Sequence, residues 1–262
     1  MEASNLKEIR ASFAIQAQNF ESSTMHFSKR EYLDHIASRV APQQTDAVLE
    51  VAAGTCACGR VLAPFARTVT CLDATPAMLA VGQKEARAEQ LDNLVFVKGT
   101  AEALPFLDES FDIVISRLAF HHFPDVKQPF QEMARVLKPG GKLVLIDMEA
   151  AEEALRAVED RIETLRDPSH RRNLSEAEIL ELFAAQALAV ETYEKTVFPV
   201  SLRNWMDLTK TPEAVQGEIT AYMKAELDGG AKTGFSPYWE EGSVFFRQRW
   251  AMAIGRKSAA GV

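Results

Sequence analysis

Two acids placed at the ends of apolar runs are where chemistry is most legible in this chain. Glu50 lies at the end of Ala47-Val48-Leu49-Glu50-Val51, and Asp73, 23 residues further on, follows the run Thr68 to Leu72. An acid at the second position is placed to accept hydrogen bonds from both hydroxyls of a ribose. Two acids at successive run ends therefore point to a nucleoside ligand. Between them runs Glu50-Val51-Ala52-Ala53-Gly54-Thr55-Cys56-Ala57-Cys58-Gly59. A dinucleotide asks for G-x-G-x-x-G here, because its pyrophosphate must lie against bare backbone at a helix N-terminus. The corresponding positions hold Ala52, Gly54 and Gly59, with Cys56 where a further glycine would ease the turn. Ala52 and Cys56 would crowd a pyrophosphate. A ligand with a carboxylate and an ammonium but no phosphate asks less of such a loop, and S-adenosylmethionine is one.

The elements that position these residues follow from the apolar pattern. Ala47–Val51, Thr68–Leu72, Leu94–Lys98, Phe111–Ser116 and Leu143–Ile146 read as strands; Ile113-Val114-Ile115 is a β-branched run of the kind covered on both faces. Helices are expected near Cys58 to Ala66, from Pro76 to Gln90 behind Thr75, and around Phe130, Met133 and Leu137, the last stopped by Pro139-Gly140-Gly141. This alternation implies parallel strands joined by right-handed crossovers, an α/β doubly wound sheet. The first ~40 residues read as two helices, with Ile9, Phe13 and Phe20 on one face and Tyr32, Leu33, Ile36 and Val40 on another. After residue 150 the pattern becomes mostly helical. A strand is expected from Val190 to Val197, a loop from Gly229 to Pro237, and a last strand from Val244 to Ile254. The expected organisation is an N-terminal helical cap over residues 1–42, a ligand-binding core over 43–150, and a helical lid or insertion with closing edge strands over 151–262.

Composition bounds the function. The chain has 262 residues, 47% of them hydrophobic and 25% charged, and a net charge of −8. This is ordinary globular composition, and an acidic surface repels phosphate backbones, so no nucleic acid partner is expected. No run is long and apolar enough for a membrane span, and the first residues have no signal-peptide core, so the chain is expected to be cytoplasmic. Cys56, Cys58 and Cys71 form no disulfide framework, and Cys56-x-Cys58 lacks the second pair that a zinc site needs. No metal is expected.

The blocks AVLEVAAGTCACG, VTCLDATPAML, VFVKGTAEALPFLDESFDIVISRLAFHHFPD and EMARVLKPGGKLVLIDME resemble, in order and spacing, the motifs of class I S-adenosylmethionine-dependent methyltransferases. They are most similar to the subgroup of ubiquinone and menaquinone C-methyltransferases, with QAQNF and LRDPSH also alike. The resemblance spans residues 10 to 175 and implies a Rossmann-like fold with a seven-stranded, mostly parallel sheet. It implies methyl transfer from S-adenosylmethionine, leaving S-adenosylhomocysteine, to a small and partly apolar acceptor. Glu50 and the Ala52, Ala53, Gly54 turn would face the methionine end, and Asp73 the ribose, with Ala74 and Met78 beside the adenine. Thr100 and Ala101 would lie at the adenine edge, and Arg117 and Leu118 near the methionine portion. His121 or His122, after the fourth strand where the acceptor sits in such enzymes, could act as a general base; His26 and His170 with Arg171 and Arg172 are further candidates. Two positions depart from the family pattern: Ala52 and Cys56 replace glycines, and Thr100 replaces the usual acid. Backbone contacts of the loop survive Ala or Cys where φ is negative.

Each residue also has a structural alternative. Glu50 could simply favour the positive end of the next helix, Asp73 could cap one, and Asp108, Glu109 and Asp112 read as a solvated turn. The aromatic residues Phe13, Phe20, Tyr32, Trp205, Tyr222, Tyr238 and Trp239 are each explained by core packing, yet together suit a lid. A non-catalytic cofactor-binding protein and an NAD-dependent oxidoreductase are the alternative functions.

Overall fold

The structure, a computed structural model, describes residues 4–16 and 30–259. Phe20, His26 and all of QAQNF beyond Gln16 lie outside the described residues. Helices α1 (Ser4–Gln16) and α2 (Arg30–Val40) precede strand β1 (Ala47–Val51). Then come α3 (Ala57–Leu62), β2 (Thr68–Asp73), α4 (Pro76–Ala88), β3 (Leu94–Lys98), β4 (Phe111–Arg117), α5 (Lys127–Val136) and β5 (Leu137–Met148). The remainder is α6 (Glu153–Arg166), α7 (Glu176–Ala185), β6 (Leu188–Ser201), α8 (Leu202–Leu208), α9 (Glu213–Leu227), β7 (Tyr238–Glu240) and β8 (Ser243–Lys257).

The strands form one sheet in the order β3-β2-β1-β4-β5-β8-β6. β1 to β5 are mutually parallel, and β8 is inserted antiparallel between β5 and β6. This is the Rossmann-like arrangement expected. It carries one strand more than expected, because β7 pairs with β8 as a hairpin. Its turn residues Glu241 and Gly242 both have positive φ, 48° and 76°, the backbone of a type I′ turn. The fifth strand also reaches back through Pro139-Gly140-Gly141 to Leu137, so those residues bend the strand instead of preceding it.

Period-two alternation distributes the strand residues between the two faces. Val48, Val69, Ile113, Ile115, Val144 and Ile146 pack with α2 and α3 on one side. Leu49, Val51, Val114, Leu143 and Leu145 pack with Phe130 and Met133 of α5 and Phe183 of α7 on the other. Both faces are covered, which is why these segments read as continuous apolar runs. A third cluster joins α6, α8 and α9 to the far ends of β6 and β8 through Ile162, Trp205, Ile219, Met223 and Phe246. The chain moves outward from β1 to β3, returns to β4 and moves outward the other way. The crevice at the carboxyl ends of β1 and β4 is thus the topological switch point, where open α/β sheets bind ligands. Among the described residues, no helix is long and apolar enough to cross a membrane.

Candidate active site

At the end of β1 the Glu50 side chain turns inward and is only 2% exposed. Its Oε2 accepts the backbone N–H of Gly59 at 2.7 Å, within the first turn of α3. That N-terminus favours negative charge, but burial outweighs it and pushes the carboxyl up to about 7. Gly59 is required for this approach, since a Cβ there would fall 2.6 Å from Cys71 Sγ and 2.8 Å from Glu50 Oε2. The folded carboxyl therefore holds its proton to higher pH than the unfolded one. Below about 4.5 the two states match; between there and about 7 the folded state binds more protons, so stability falls as pH rises, and the full cost persists above. That cost is about 3 kcal/mol. Glu50→Gln should remove it, leaving the comparable slope from Glu159, which burial also pushes up to about 7. Urea titrations at pH 5 and pH 8 check this, and an equal loss of stability in both proteins would refute it.

The loop after β1 has left-handed backbone at alternate residues, with φ of 52° at Ala52, 55° at Gly54 and 63° at Cys56. The negative φ under which Ala or Cys would be tolerated freely is thus not met at Ala52 or Cys56; both take the left-handed backbone that favours glycine. Each costs roughly 1–2 kcal/mol as a non-glycine residue. Surrounding bonds hold the shape: Ala53 N–H to Leu72 O at 2.9 Å, Cys56 N–H to Ala53 O at 2.7 Å, and Gly54 N–H to Asp73 Oδ2 at 2.8 Å. Asp73 also accepts Thr75 N–H on Oδ1 at 2.7 Å, ahead of Pro76 at the start of α4. One buried carboxylate therefore ties the first loop to the second, and burial raises its pKa above the ordinary value.

These strand ends border a cavity at the carboxyl edge of the sheet, the place where open α/β sheets bind ligands. Glu50, Ala52, Ala53 and Gly54 line it from β1, Asp73, Ala74 and Met78 from β2 and α4, Thr100 and Ala101 from β3, and Arg117 and Leu118 from β4. Every residue expected to face the cofactor is there. The sequence reading missed Thr55, whose buried Oγ1 has no hydrogen-bond partner among the described residues, and Phe123.

The two histidines part company. His122 lines the cavity; His121 does not. His121 Nδ1 lies 2.5 Å from Asp147 Oδ1, and Asp147 also accepts Phe120 N–H at 2.6 Å and Met148 N–H at 2.7 Å. Burial opposes the His121 cation, but the Asp147 charge outweighs it and raises the pKa. His121 is a buried ion-pair residue, and the general-base expectation does not hold for it. His170 is likewise buried, with Nε2 3.1 Å from Asp160 Oδ1. Arg171 pairs with Glu8 at 2.5 Å and Arg172 with Glu178 at 2.6 Å, and neither lines the cavity. His122 Nδ1 lies 3.1 Å from Ser169 Oγ, and Ser169 Oγ donates to Asp167 Oδ1 at 2.6 Å.

Helix α1 borders the cavity. Ile9 and Phe13 line the cavity, and Phe13 meets the His122 ring edge-on at 5.0 Å. Arg10 Nε donates to Ala74 O at 2.9 Å, and Ser12 Oγ to Asp167 Oδ1 at 3.0 Å. Of the other described aromatic residues expected to form a lid, none lines the cavity. Tyr32 packs on Phe198 and Trp250, Trp205 on Phe235 and Phe246, and Trp239 is exposed. Their faces serve the core and the β7–β8 hairpin.

A family model described as a methyltransferase domain matches residues 49–145. The uncharacterised methyltransferase YcgJ of Bacillus subtilis is 35% identical over 187 residues, covering 71% of this chain and 74% of YcgJ. The Escherichia coli protein YafE is 37% identical over 158 residues, 60% of this chain and 76% of YafE. The crystal structure of YcgJ superposes with a TM-score of 0.81 and 28% identity, over 88% of this chain and all of that one.

Proposed function

The chain belongs to the class I S-adenosylmethionine-dependent methyltransferases, and from that premise we propose that it methylates a small, partly apolar acceptor held beside His122. The observation that carries this reading is the meeting of Glu50 and Asp73, acids from successive strand ends, in one cavity at the switch point. The residues suit the cofactor. Asp73 has two carboxylate oxygens with lone pairs beyond those used by Gly54 and Thr75, so ribose hydroxyls can add to the existing bonds. Met78, Leu72 and Ala101 offer an apolar bed for an adenine, and the Thr55 hydroxyl offers a polar contact. Glu50 would oppose the ammonium. When bound, the cofactor supplies a methyl group already activated on a sulfonium. The task left to the protein is to align the acceptor and exclude water, for which Ile9 and Phe13 of α1 are placed. Ala52 and Cys56 keep the glycine-like backbone, which supports a working loop over a non-catalytic relative.

Calorimetry with S-adenosylhomocysteine, S-adenosylmethionine and NADH tests the reading. The first two are expected to bind and NADH is not. A ligand at a hundredfold excess over its dissociation constant stabilises the fold by about 2.7 kcal/mol, so a rise in melting temperature should accompany binding. Absence of S-adenosylhomocysteine binding would refute the proposal.

A further inference from the structure

Resting on that methyl-transfer reading, we propose that Glu102 reads the base of the cofactor: its carboxylate accepts the 6-amino group of the adenine and rejects a base with oxygen at that position. The order of the strands gives the placement. β2 lies between β1, which carries Glu50, and β3. With the ammonium beside Glu50 and the ribose on Asp73, the base extends toward the loop that follows β3. Gly99 N–H donates to Asp73 O at 3.1 Å, which keeps that loop against β2. A Cβ at Gly99 would fall 2.8 Å from Leu72 Cδ1, so glycine lets the loop approach the apolar bed closely. Thr100, Ala101 and Glu102 then line the cavity.

Bonding sets Glu102 apart from the other acids of the cavity. Glu50 accepts Gly59 N–H, and Asp73 accepts from Gly54 and Thr75. The Glu102 carboxylate has no hydrogen-bond or ion-pair partner among the described residues. Its backbone, by contrast, is fixed from α5. Gln128 Nε2 donates to Glu102 O at 3.1 Å, Glu132 Oε2 accepts Leu104 N–H at 2.8 Å, and Arg135 donates to Leu104 O at 3.1 Å. The loop is thus held by its main chain, and a half-buried carboxylate on it is left for a ligand.

The chemistry of the three groups on this loop singles out the acid. A carboxylate only accepts hydrogen bonds, whereas a hydroxyl donates or accepts. The Thr100 hydroxyl therefore suits either an amino or an oxo substituent, and Ala101 bonds neither through its side chain. An adenine 6-amino group offers N–H donors to Glu102. A 6-oxo base sets an acceptor against an acceptor, with no proton between them and both partly desolvated. Leu72, Met78 and Ala101 touch the faces of the ring, where the two bases are alike. Glu102 acts far from the transferred methyl group, so it is a specificity-determining residue and takes no part in the displacement.

The test is calorimetry on the full chain with S-adenosylhomocysteine and S-inosylhomocysteine, which differ in having an amino group or an oxygen at position 6 of the base. The parent protein should bind the adenosyl compound roughly 10-fold or more tightly than the inosyl one. Glu102→Gln offers a donor as well as an acceptor and should bring the two affinities within about threefold. Glu102→Ala should weaken the adenosyl compound by roughly 10-fold and leave the inosyl one within about threefold of the parent. A merely structural role would weaken both ligands in parallel and leave their ratio unchanged, and that result overturns the proposal. Equal affinities in the parent overturn it as well, as does a ratio that collapses in Thr100→Ala but survives both Glu102 variants. Melting curves without ligand verify that each variant is folded. Binding of S-adenosylhomocysteine without discrimination overturns this proposal alone, whereas no binding of it by the parent overturns the methyl-transfer reading beneath.

Discussion

Asp147→Ala should destabilise the protein by about 3–5 kcal/mol, the scale of breaking a buried charge pair by removing one partner. Asp147 is 1% exposed and holds His121 Nδ1 together with the N–H groups of Phe120 and Met148. Burial raises its pKa, but the His121 charge and these bonds outweigh that and lower it. Alanine would leave a buried imidazole without its anion and the backbone donors of Phe120, His121 and Met148 without this acceptor. Because His122 is the next residue, the loss should also disturb the active-site turn. Asp147→Asn keeps an acceptor oxygen and should lose clearly less. Chemical denaturation of the three proteins at pH 7 checks the order, and an Ala variant within about 1 kcal/mol of the parent would show that the pair contributes little.

Asp73→Ala should weaken S-adenosylhomocysteine binding roughly 100-fold or more. Hydrogen bonds to a charged group contribute about 1.5–3 kcal/mol each, and two ribose hydroxyls are expected to make them. Two such bonds amount to about 3–6 kcal/mol, and at about 1.4 kcal/mol per tenfold the lower figure already exceeds a hundredfold in affinity. The variant should lose stability as well, since Gly54 N–H and Thr75 N–H would lack their acceptor. Asp73→Asn separates the two roles: it can still accept from one backbone N–H but has no charge for the ribose. Calorimetry below the melting temperature of each variant reads the binding effect alone. A folded Ala variant that binds as tightly as the parent would remove Asp73 from the cofactor site.

The convergence of the strand ends on one cavity has a geometric cause. Parallel strands in a doubly wound sheet deliver every carboxyl end to one edge, so Glu50, Asp73, Thr100 and Arg117 meet although 67 positions separate the first from the last. The β-branched run Ile113-Val114-Ile115 lies in β4 between β1 and β5, in parallel register with both. What stayed hidden depends on pairings across the sequence. His121 and His122 are neighbours of one type, and only Asp147, 26 residues later, and Ser169, 47 residues later, tell them apart. Backbone sign at Ala52 and Cys56 is likewise set by what holds the loop, not by side-chain type. For the β7–β8 hairpin a signal did exist: Gly242 at the second turn position between two short apolar stretches. Burial accounts for Tyr32 and Trp205, the reading each aromatic residue favoured singly, and core and lid place the same demand on composition.

The antiparallel insertion of β8 sets an order of events during synthesis. β5 is complete at Met148, yet its second neighbour begins only at Ser243, with Met148 paired to Trp250 and Lys142 to Arg256. A ribosome adding about 5–20 residues per second needs several seconds or more to cover that interval. Throughout it, the nascent chain carries β5 as a raw edge with unpaired donors and acceptors, open to another strand. β6 emerges within that interval but reaches the sheet only through β8. A chain terminated before Ser243 should therefore retain its nucleoside-binding strand ends and still aggregate, and chaperone demand should peak between the emergence of β5 and that of β8.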